Sequence, residues 1–289
     1  MRILLLGGSG FIGSTLADRL RSGDHEVVTM SSTSHADVQL DLREPDSIES
    51  YLASTPFDTV INMAGAGLTS GTADLRTMES INSELPPRLF RALASRESSR
   101  EVHLIHAASS TERLPGHDAD ESEYSRTKLA GTSSLEAELV NSKHDSRSSQ
   151  VHVSICRVHN TYGPGQPGRR FIAYVINQLE SNRPVVLQHP DRIRDFVFLD
   201  ETVDGIQLLV DAGMSAPARA ELGTGVGLRL RECATHIAGA LSRSTDLVID
   251  GDASTDDPNP VTVASERFGS LGNCRTDFAE GLGFTLKGA

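Results

Sequence analysis

MRILLLGGSGFIG, residues 1–13, is the stretch that decides the fold. Its apolar run ILLL is followed without a gap by the glycine-rich segment GGSGFIG, and an amphipathic pattern then continues to residue 22. This order predicts a strand, a glycine turn and a helix whose N-terminal N–H groups bind the pyrophosphate of a dinucleotide. Gly7 or Gly8 permits the tight turn out of the strand. Gly10 allows the backbone to approach the pyrophosphate closely, and Gly13 lets the helix pack on the strand.

Composition limits the size of the fold and the kind of partner. A chain of 289 residues forms one large domain or two interleaved ones, and a formal net charge of −12 argues against a nucleic-acid backbone or an anionic membrane as partner. Cys156, Cys233 and Cys274 are too widely spaced for metal ligation, so we expect no metal site and reduced thiols in a cytoplasmic protein. No apolar run reaches membrane-spanning length.

The second predicted strand, HEVVTM (25–30), bears on which dinucleotide is bound. In dinucleotide-binding folds an acid at the end of this strand accepts hydrogen bonds from the ribose hydroxyls of NAD. Here Ser31 and Ser32 open a serine-rich segment, and no acid occurs before Asp37. Hydroxyls can donate to a 2′-phosphate that a carboxylate would repel, so NADP is favoured over NAD. A serine-rich surface loop is the alternative, and no arginine stands in the segment to complete a phosphate site.

Later strand ends predict the rest of a nucleotide site. VQLDL (38–42) ends at Asp41-Leu42, placed to cap an adenine. FDTVINMAG (57–65) ends in Met63 and the small residues Ala64 and Gly65, which let a nicotinamide ribose pass over the strand end. VHLIHAA (102–108) is followed by Ser109-Ser110-Thr111. In open parallel sheets the carboxyl edge of the strands is where ligands bind.

A tyrosine and a lysine follow in the segment YSRTK (124–128). Tyr124 and Lys128 are four residues apart, so on a helix they share one face. The chain has only two other lysines, Lys143 and Lys287, so a lysine at this spacing is less likely to occur by chance. An exposed helix pair without function is the alternative reading of the motif taken alone.

These motifs stand in an order that resembles the extended short-chain dehydrogenase/reductase family, that of NAD-dependent epimerases and dehydratases. The resemblance extends over nearly the whole chain and includes nucleotide-sugar epimerases, dehydratases and 4-ketoreductases. Its signals are GGSGFIG, Asp41-Leu42, Asn82, Ser110-Thr111, YSRTK, RVHNTYGPGQ, RDFVFLD and LGTG.

The resemblance gives the catalytic residues their roles. Tyr124 would exchange a proton with a substrate oxygen, and Thr111 would hydrogen-bond the same oxygen, with Ser109 and Ser110 as weaker candidates. The ammonium of Lys128 would lower the pKa of Tyr124 and hold the nicotinamide ribose. The predicted cofactor-binding residues are Gly7, Gly10, Phe11, Ile12, Gly13, Ser31, Ser32, Asp41, Leu42, Met63, Ala64, Gly65, Asn82, Tyr124 and Lys128.

On the substrate side, the resemblance implies that Asn160 and Arg194 contact the diphosphate of a nucleotide sugar. A guanidinium suits phosphate geometry, although an ordinary ion pair of Arg194 with Asp195 or Asp191 is the alternative. The pair Arg169-Arg170 could add a second phosphate contact, and a solvated charge pair is the more common use of such a run.

The residues around the tyrosine favour one reaction among several. Dehydratases of the family carry Thr-Asp-Glu, whereas Thr111 is followed here by Glu112-Arg113, so one acid is missing. With serines after the second strand, this favours a net reductase that consumes NADPH. The segments AGAGLTSGTADLRTMESIN (64–82) and ASST (108–111) resemble those of 4-ketoreductases of the family, which implies reduction of a 4-keto-6-deoxysugar nucleotide. The alternatives are a nucleotide-sugar 4-epimerase or dehydratase with tightly bound NAD, and a redox-sensing regulator without turnover.

The predicted architecture is an α/β fold, a doubly wound parallel sheet with a smaller C-terminal substrate-binding lobe. Residues 1–158 and 195–224 would form the dinucleotide-binding domain, and residues 159–194 and 225–289 the lobe. The strand near residues 196–199 is expected to return to the main domain. A homodimer is a further expectation, from the resemblance alone.

Overall fold

The computed structural model describes residues 1–44, 46–67, 74–96, 100–112, 122–142, 150–251, 261–264 and 275–288. In chain order its strands are β1 (Arg2–Leu6), β2 (Glu26–Ser31), β3 (Val38–Gln39), β4 (Thr59–Asn62), β5 (Val102–Ser109), β6 (Val151–Val158), β7 (Asn160–Tyr162), β8 (Val185–Leu187), β9 (Ile193–Phe198), β10 (Arg219–Leu222), β11 (Gly227–Arg229), β12 (Val248–Asp250) and β13 (Val261–Thr262). Its α-helices are α1 (Phe11–Ser22), α2 (Ser47–Ser54), α3 (Leu75–Met78), α4 (Leu85–Ala94), α5 (Glu123–Asn141), α6 (Phe171–Glu180), α7 (Leu199–Ala212), α8 (Leu230–Ala240) and α9 (Phe278–Lys287).

The main sheet has seven strands in the order β10-β6-β5-β4-β1-β2-β3. Every neighbouring pair in it is parallel. The chain builds outward from β1 in one direction through β2 and β3, then crosses to β4 and builds outward in the other. The order therefore reverses between β1 and β4, which is where ligands bind in open α/β sheets. The predicted doubly wound parallel sheet is confirmed.

Helices cover both faces of this sheet because their apolar residues recur at helical spacing. On one face, α1 and α7 bury a row that includes Leu16, Leu20 and Ile206. On the other face, α2, α4 and α5 bury a second row that includes Leu52 and Leu89. No helix within the described ranges combines the length and apolarity that a membrane span requires.

A smaller sheet stands beside the main one. The segment near residues 196–199 forms the end of β9, which pairs with β7, β11 and β13 in this smaller sheet. The strand that joins the main sheet beside β6 is β10. β9 is apolar on both sides: Val197 packs into the core of the main sheet, whereas Phe196 and Phe198 belong to the core of the smaller lobe. The division into residues 1–158 with 195–224 and residues 159–194 with 225–289 stays a prediction.

The segment around Asn82 has an unusual backbone. A π-helical turn, Glu79–Glu84, joins α3 to α4. Pro86 and Pro87 lie in the first turn of α4, where a missing N–H costs no intrahelical hydrogen bond, so they begin this helix instead of interrupting one. π-turns of this kind recur next to functional sites.

Candidate active site

The glycine turn between β1 and α1 has the geometry that its sequence predicts. Gly7 has a φ of 77°, a region that glycine adopts without strain, and its carbonyl accepts a hydrogen bond from Gly10 N at 3.0 Å. A Cβ at position 13 would lie 2.2 Å from the Gly7 carbonyl oxygen, so α1 can approach β1 this closely only with glycine there. Gly10 is the N-cap of α1 and has no side-chain cap. The first turn of α1 therefore begins with its N–H groups uncovered by side chains.

A cleft opens at the carboxyl edge of the main sheet beside this turn, and we refer to it as the catalytic cleft. It is bounded by the glycine turn, the ends of β4 and β5, one face of α5, and the segment that enters the smaller lobe. The predicted residues that line it are Gly7, Gly10, Phe11, Ile12, Gly13, Met63, Ala64, Gly65, Thr111, Tyr124, Lys128 and Asn160. Residues more than 150 positions apart in the chain thus meet at one site.

The remaining predicted residues lie outside this lining, and one of them, Asn82, supports the site instead. Asn82 is fully buried and holds the backbone of Ala66 with two hydrogen bonds, from Ala66 N to its Oδ1 and from its Nδ2 to the Ala66 carbonyl, each 2.9 Å. Asp41 forms an ion pair with Arg43 at 2.6 Å, and Leu42 packs in the core. Asn82 therefore positions the end of the β4 loop at the cleft without lining it.

A cluster of hydroxyls stands at the end of β2, next to the glycine turn. Ser31 is the last residue of β2 and buried, and its Oγ accepts from Ser9 Oγ at 3.1 Å and lies 2.8 Å from Thr33 Oγ1. Ser32 is exposed. The first acid after the strand, Asp37, is turned toward Thr29, whose backbone N–H and hydroxyl both donate to it and lower the pKa of its carboxyl. The end of β2 therefore presents neutral hydroxyls, as the sequence predicts.

The predicted catalytic residues Thr111, Tyr124 and Lys128 line the cleft together with Ser109. The hydroxyls of Ser109 and Thr111 lie 2.9 Å apart, and the Ser109 side chain lowers the pKa of Tyr124. Lys128 is buried and donates from Nζ to the Ala107 carbonyl at 2.6 Å. Ser109, Ser110, Thr111, Tyr124 and Lys128 all line the cleft here. That Thr111 is a better catalytic candidate than Ser109 or Ser110 stays a prediction.

The pKa of Tyr124 differs from the expectation. Burial raises the pKa of the phenol to about 12, against a hydrogen bond from Ser109 and the positive charge of Arg170, which lower it. Glu112 raises the pKa further. The expectation that Lys128 lowers the pKa of Tyr124 is therefore wrong, because the pKa of Tyr124 is raised overall. The pKa of Lys128 is itself lowered by burial. A phenol with a raised pKa is protonated near neutral pH and can donate a proton.

Glu112, the acid that follows Thr111, turns away from the catalytic cleft. Its Oε1 accepts a hydrogen bond from Ser109 N at 2.7 Å. Its side chain lines a separate cavity together with Thr132 and Arg157, and its Oε2 is buried without a hydrogen-bond partner. Of the described residues that line the catalytic cleft, none is an aspartate or glutamate. The acid–base pair that sugar dehydration requires is therefore not assembled there by the described residues.

Of the three arginines considered from the sequence, Arg170 lines the cleft, whereas Arg194 and Arg169 do not. Arg194 is buried, does not line the cleft, and donates from Nη1 to the Ile193 carbonyl at 2.8 Å. Arg170 lines the cleft, half-buried, and its charge acts on Tyr124. Asn160 lines the cleft and donates from Nδ2 to the Asp195 carbonyl at 3.1 Å. The solvated pair expected for Arg169-Arg170 holds for Arg169 alone, which is exposed.

The cleft fits a nicotinamide dinucleotide. A Cβ at Gly10 would meet only the Gly7 carbonyl oxygen, at 3.2 Å, so its outer side is free for a pyrophosphate at the start of α1. Met63, Ala64 and Gly65 lead from this turn to Tyr124 and Lys128 along one continuous lining. Such a cradle, with a tyrosine and a buried lysine at its far end, defines a nicotinamide-dependent enzyme of the short-chain dehydrogenase/reductase type.

Comparison with known proteins narrows this class. The chain belongs to the NAD-dependent epimerase/dehydratase family, whose model matches residues 3–222. It is 32% identical over 248 residues to dTDP-6-deoxy-L-talose 4-dehydrogenase (NAD(P)(+)) of Kitasatospora kifunensis, an alignment covering 78% of this chain and 74% of that protein. It is 27% identical over 283 residues to UDP-glucose 4-epimerase of Mycolicibacterium smegmatis, covering 83% of each chain.

The solved structures agree on the fold. MoeE5 in complex with UDP-glucose and NAD superposes with a TM-score of 0.81 at 23% identity, covering 99% of this chain and 98% of the other. At this identity the likeness establishes the architecture alone. The family membership rests on the family model and on the relative from Kitasatospora.

Proposed function

We propose that this enzyme catalyses the NADPH-dependent reduction of a nucleotide-activated 4-keto-6-deoxysugar, with Tyr124 as the proton donor. The observation that carries the proposal is the grouping of the Tyr124 phenol with the Ser109 and Thr111 hydroxyls in the same cleft as the glycine cradle. The relative of similar sequence from Kitasatospora, a dTDP-6-deoxy-L-talose 4-dehydrogenase (NAD(P)(+)), supports the sugar class, and its name covers NAD and NADP alike.

Each of these cleft residues would have its own role in the reduction. When bound, the reduced nicotinamide supplies the hydride that adds to the carbonyl carbon. The Tyr124 hydroxyl gives its proton to the carbonyl oxygen, so that ketone, hydride and proton together become the alcohol and Tyr124 is left as phenolate. Thr111 and Ser109 donate hydrogen bonds that hold the carbonyl oxygen and the phenol in line. The buried Lys128, anchored on the Ala107 carbonyl, would hold the nicotinamide ribose.

A 4-epimerase with tightly held NAD is the alternative that a specific observation favours, namely the alignment of 83% of the chain with UDP-glucose 4-epimerase. An epimerase oxidises and then reduces the same carbon, so it releases no oxidised cofactor. Dehydration is disfavoured because Glu112 faces another cavity.

One experiment on the purified protein distinguishes reduction from 4-epimerisation. The nucleotide retained after purification is released by denaturation and identified, and the protein is then assayed with a dTDP-4-keto-6-deoxyhexose and NADPH. Reduction predicts loosely bound cofactor and one NADPH oxidised per alcohol formed. Stoichiometric bound NAD, with interconversion of UDP-glucose and UDP-galactose and no NADPH consumed, would instead establish the epimerase.

Substitution of Ser31 by aspartate is expected to reverse the cofactor preference. A carboxylate at the end of β2 would repel a 2′-phosphate and accept hydrogen bonds from the ribose hydroxyls of NAD. We expect the Kd for NADPH to rise by about 10- to 100-fold, with the Kd for NADH unchanged or lower. Titration calorimetry with both cofactors measures this. Ser50→Asp, an exposed position on α2, adds the same charge away from the cleft and should change neither Kd; equal weakening of both cofactors by Ser31→Asp would contradict the assignment.

A further inference from the structure

The turn that ends β5, residues 109–112, carries two of the hydroxyls that line the catalytic cleft with Tyr124, and its last residue closes it. Glu112 N donates to the Ser109 carbonyl at 3.0 Å, and Ser109 N donates in return to Glu112 Oε1 at 2.7 Å. Thr111 N donates to Ser109 Oγ at 3.2 Å, and the hydroxyls of Ser109 and Thr111 lie 2.9 Å apart. A glutamate side chain that accepts from the N–H of a serine three residues earlier is one half of a capping box. The hydroxyl pair is therefore built on a turn that the Glu112 side chain holds.

The sheet supplies no strand that could accept the hydrogen bond of Ser109 N in place of Glu112. Ser110 N donates to the last residue of β6 at 3.0 Å, so Ser109 N, one residue earlier, points to the opposite edge of β5, toward β4. β4 pairs with β5 only as far as Asn62 and His106, and ends before it reaches Ser109. Ser109 is 9% exposed and Glu112 1% exposed. A buried N–H without an acceptor costs free energy, so loss of this carboxylate would favour rearrangement of the turn.

Only one of the two carboxylate oxygens of Glu112 takes part in the turn, because Oε2 is buried without a hydrogen-bond partner. The carboxylate also acts through its charge. Burial raises the pKa of Tyr124 and the charge of Glu112 raises it further, whereas for Lys128 the same charge opposes the burial that lowers the pKa. Glu112 can therefore influence the catalytic cleft in two ways that mutation can separate, by the hydrogen bond to Oε1 and by its charge.

We propose that Glu112 is a positioning residue of the reduction: the hydrogen bond to its Oε1 holds the turn so that the hydroxyls of Ser109 and Thr111 stay grouped beside Tyr124. Glu112 does not line the catalytic cleft, so it acts through the turn. The inference rests on the proposed function, because holding the carbonyl oxygen during reduction is what the grouped hydroxyls are for. A displaced hydroxyl pair slows the chemical step more than it weakens substrate binding, and the effect therefore belongs mainly to kcat.

Three substitutions of Glu112 separate its hydrogen bond from its charge. Glu112→Gln keeps Oε1 and removes the charge, Glu112→Asp keeps the charge on a side chain one methylene shorter, and Glu112→Ala removes both. The full chain is assayed with NADPH and a dTDP-4-keto-6-deoxyhexose. We expect the alanine and aspartate variants to lose about 10- to 100-fold in kcat and the glutamine variant to stay within about threefold of the wild type, with every KM within about threefold. A glutamine variant as slow as the alanine variant overturns the inference, and so does an alanine variant as fast as the wild type.

Glu136 provides the matched control. It lines the same cavity as Glu112, from α5, and pairs with Arg219 at 2.6 Å. The same three substitutions at Glu136 should leave kcat within about twofold of the wild type. The melting temperature and the Kd for NADPH of each Glu112 variant show whether it is folded, and a loss of kcat that only follows the loss of folded protein overturns the inference.

The assay of the wild type separates this inference from the function on which it rests. A wild type that reduces the ketosugar while all three Glu112 variants match it overturns the inference alone. A wild type that instead interconverts UDP-glucose and UDP-galactose overturns the proposed function alone if the Glu112 variants keep the expected order of kcat in that reaction, since 4-epimerisation also passes through a ketone. A wild type with neither activity overturns both.

Discussion

Replacement of Tyr124 by phenylalanine lowers kcat by about 10²- to 10⁴-fold, while the Kd for NADPH stays within about twofold. The substitution removes one oxygen atom and keeps the ring, so the packing of α5 against the cleft is preserved. The lost atom is the hydroxyl oxygen that would give its proton to the carbonyl oxygen. The rate of NADPH oxidation with a 4-ketosugar nucleotide, and the Kd from fluorescence titration of NADPH, measure the two quantities separately.

Tyr51→Phe is the matched control for this prediction. Tyr51 lies on α2 and packs in the core on the other side of the sheet from α1, away from the catalytic cleft. It loses the same atom, and its kcat should remain within about twofold of the wild type. If Tyr124→Phe retained more than a tenth of the wild-type kcat, another group would be the proton donor. If neither protein turned over any nucleotide sugar while both bound NADPH, a cofactor-binding regulator would be the better description.

Local motifs account for the part of the site that the sequence predicts well. The glycine turn is specified within seven consecutive residues, because the backbone of Gly7 and the close approach at Gly13 are properties of that segment itself. The shared face of Tyr124 and Lys128 follows from helix periodicity alone, and both line the cleft. The local sequence is therefore sufficient to predict the conformation of these segments. Long-range packing only brings the segments together.

The parts that the sequence misplaced depend on packing between distant segments. Which of Ser109 and Thr111 meets the phenol, and whether Glu112 enters the cleft or the cavity behind it, is decided by how the end of β5 sits against α5. Arg170 and Arg194 both precede apolar segments of the smaller lobe, and nothing in their local sequence says which one faces the cleft. Nothing in the sequence of β9 says with which strands it pairs. It is apolar on both sides because it lies between two cores.

Substitution of Gly13 by alanine is the second change with a large expected effect. The added Cβ would lie 2.2 Å from the Gly7 carbonyl oxygen, 2.9 Å from the Gly7 carbonyl carbon and 3.0 Å from Gly8 Cα. These are backbone atoms that no rotamer change can move, so α1 must shift away from β1 or the glycine turn must open. We expect a loss of about 1–3 kcal/mol in the free energy of unfolding and a rise of at least about 100-fold in the Kd for NADPH. Urea denaturation and titration calorimetry measure the two effects.

Substitutions at two other glycines, Gly239 and Gly10, distinguish the steric effect of Gly13→Ala on stability from its effect on NADPH binding. Gly239 is exposed on α8 and a Cβ there meets nothing within 4 Å, so Gly239→Ala should stabilise the protein by up to about 1 kcal/mol without changing the Kd for NADPH. A Cβ at Gly10 meets only the Gly7 oxygen, at 3.2 Å, and otherwise extends toward the cleft. Gly10→Ala should therefore weaken NADPH binding with little loss of stability, because the methyl group occupies space meant for the pyrophosphate and spares the contact between helix and strand. If Gly10→Ala bound NADPH as tightly as the wild type, the dinucleotide would have to lie elsewhere, and the weakened binding of Gly13→Ala would reflect unfolding alone.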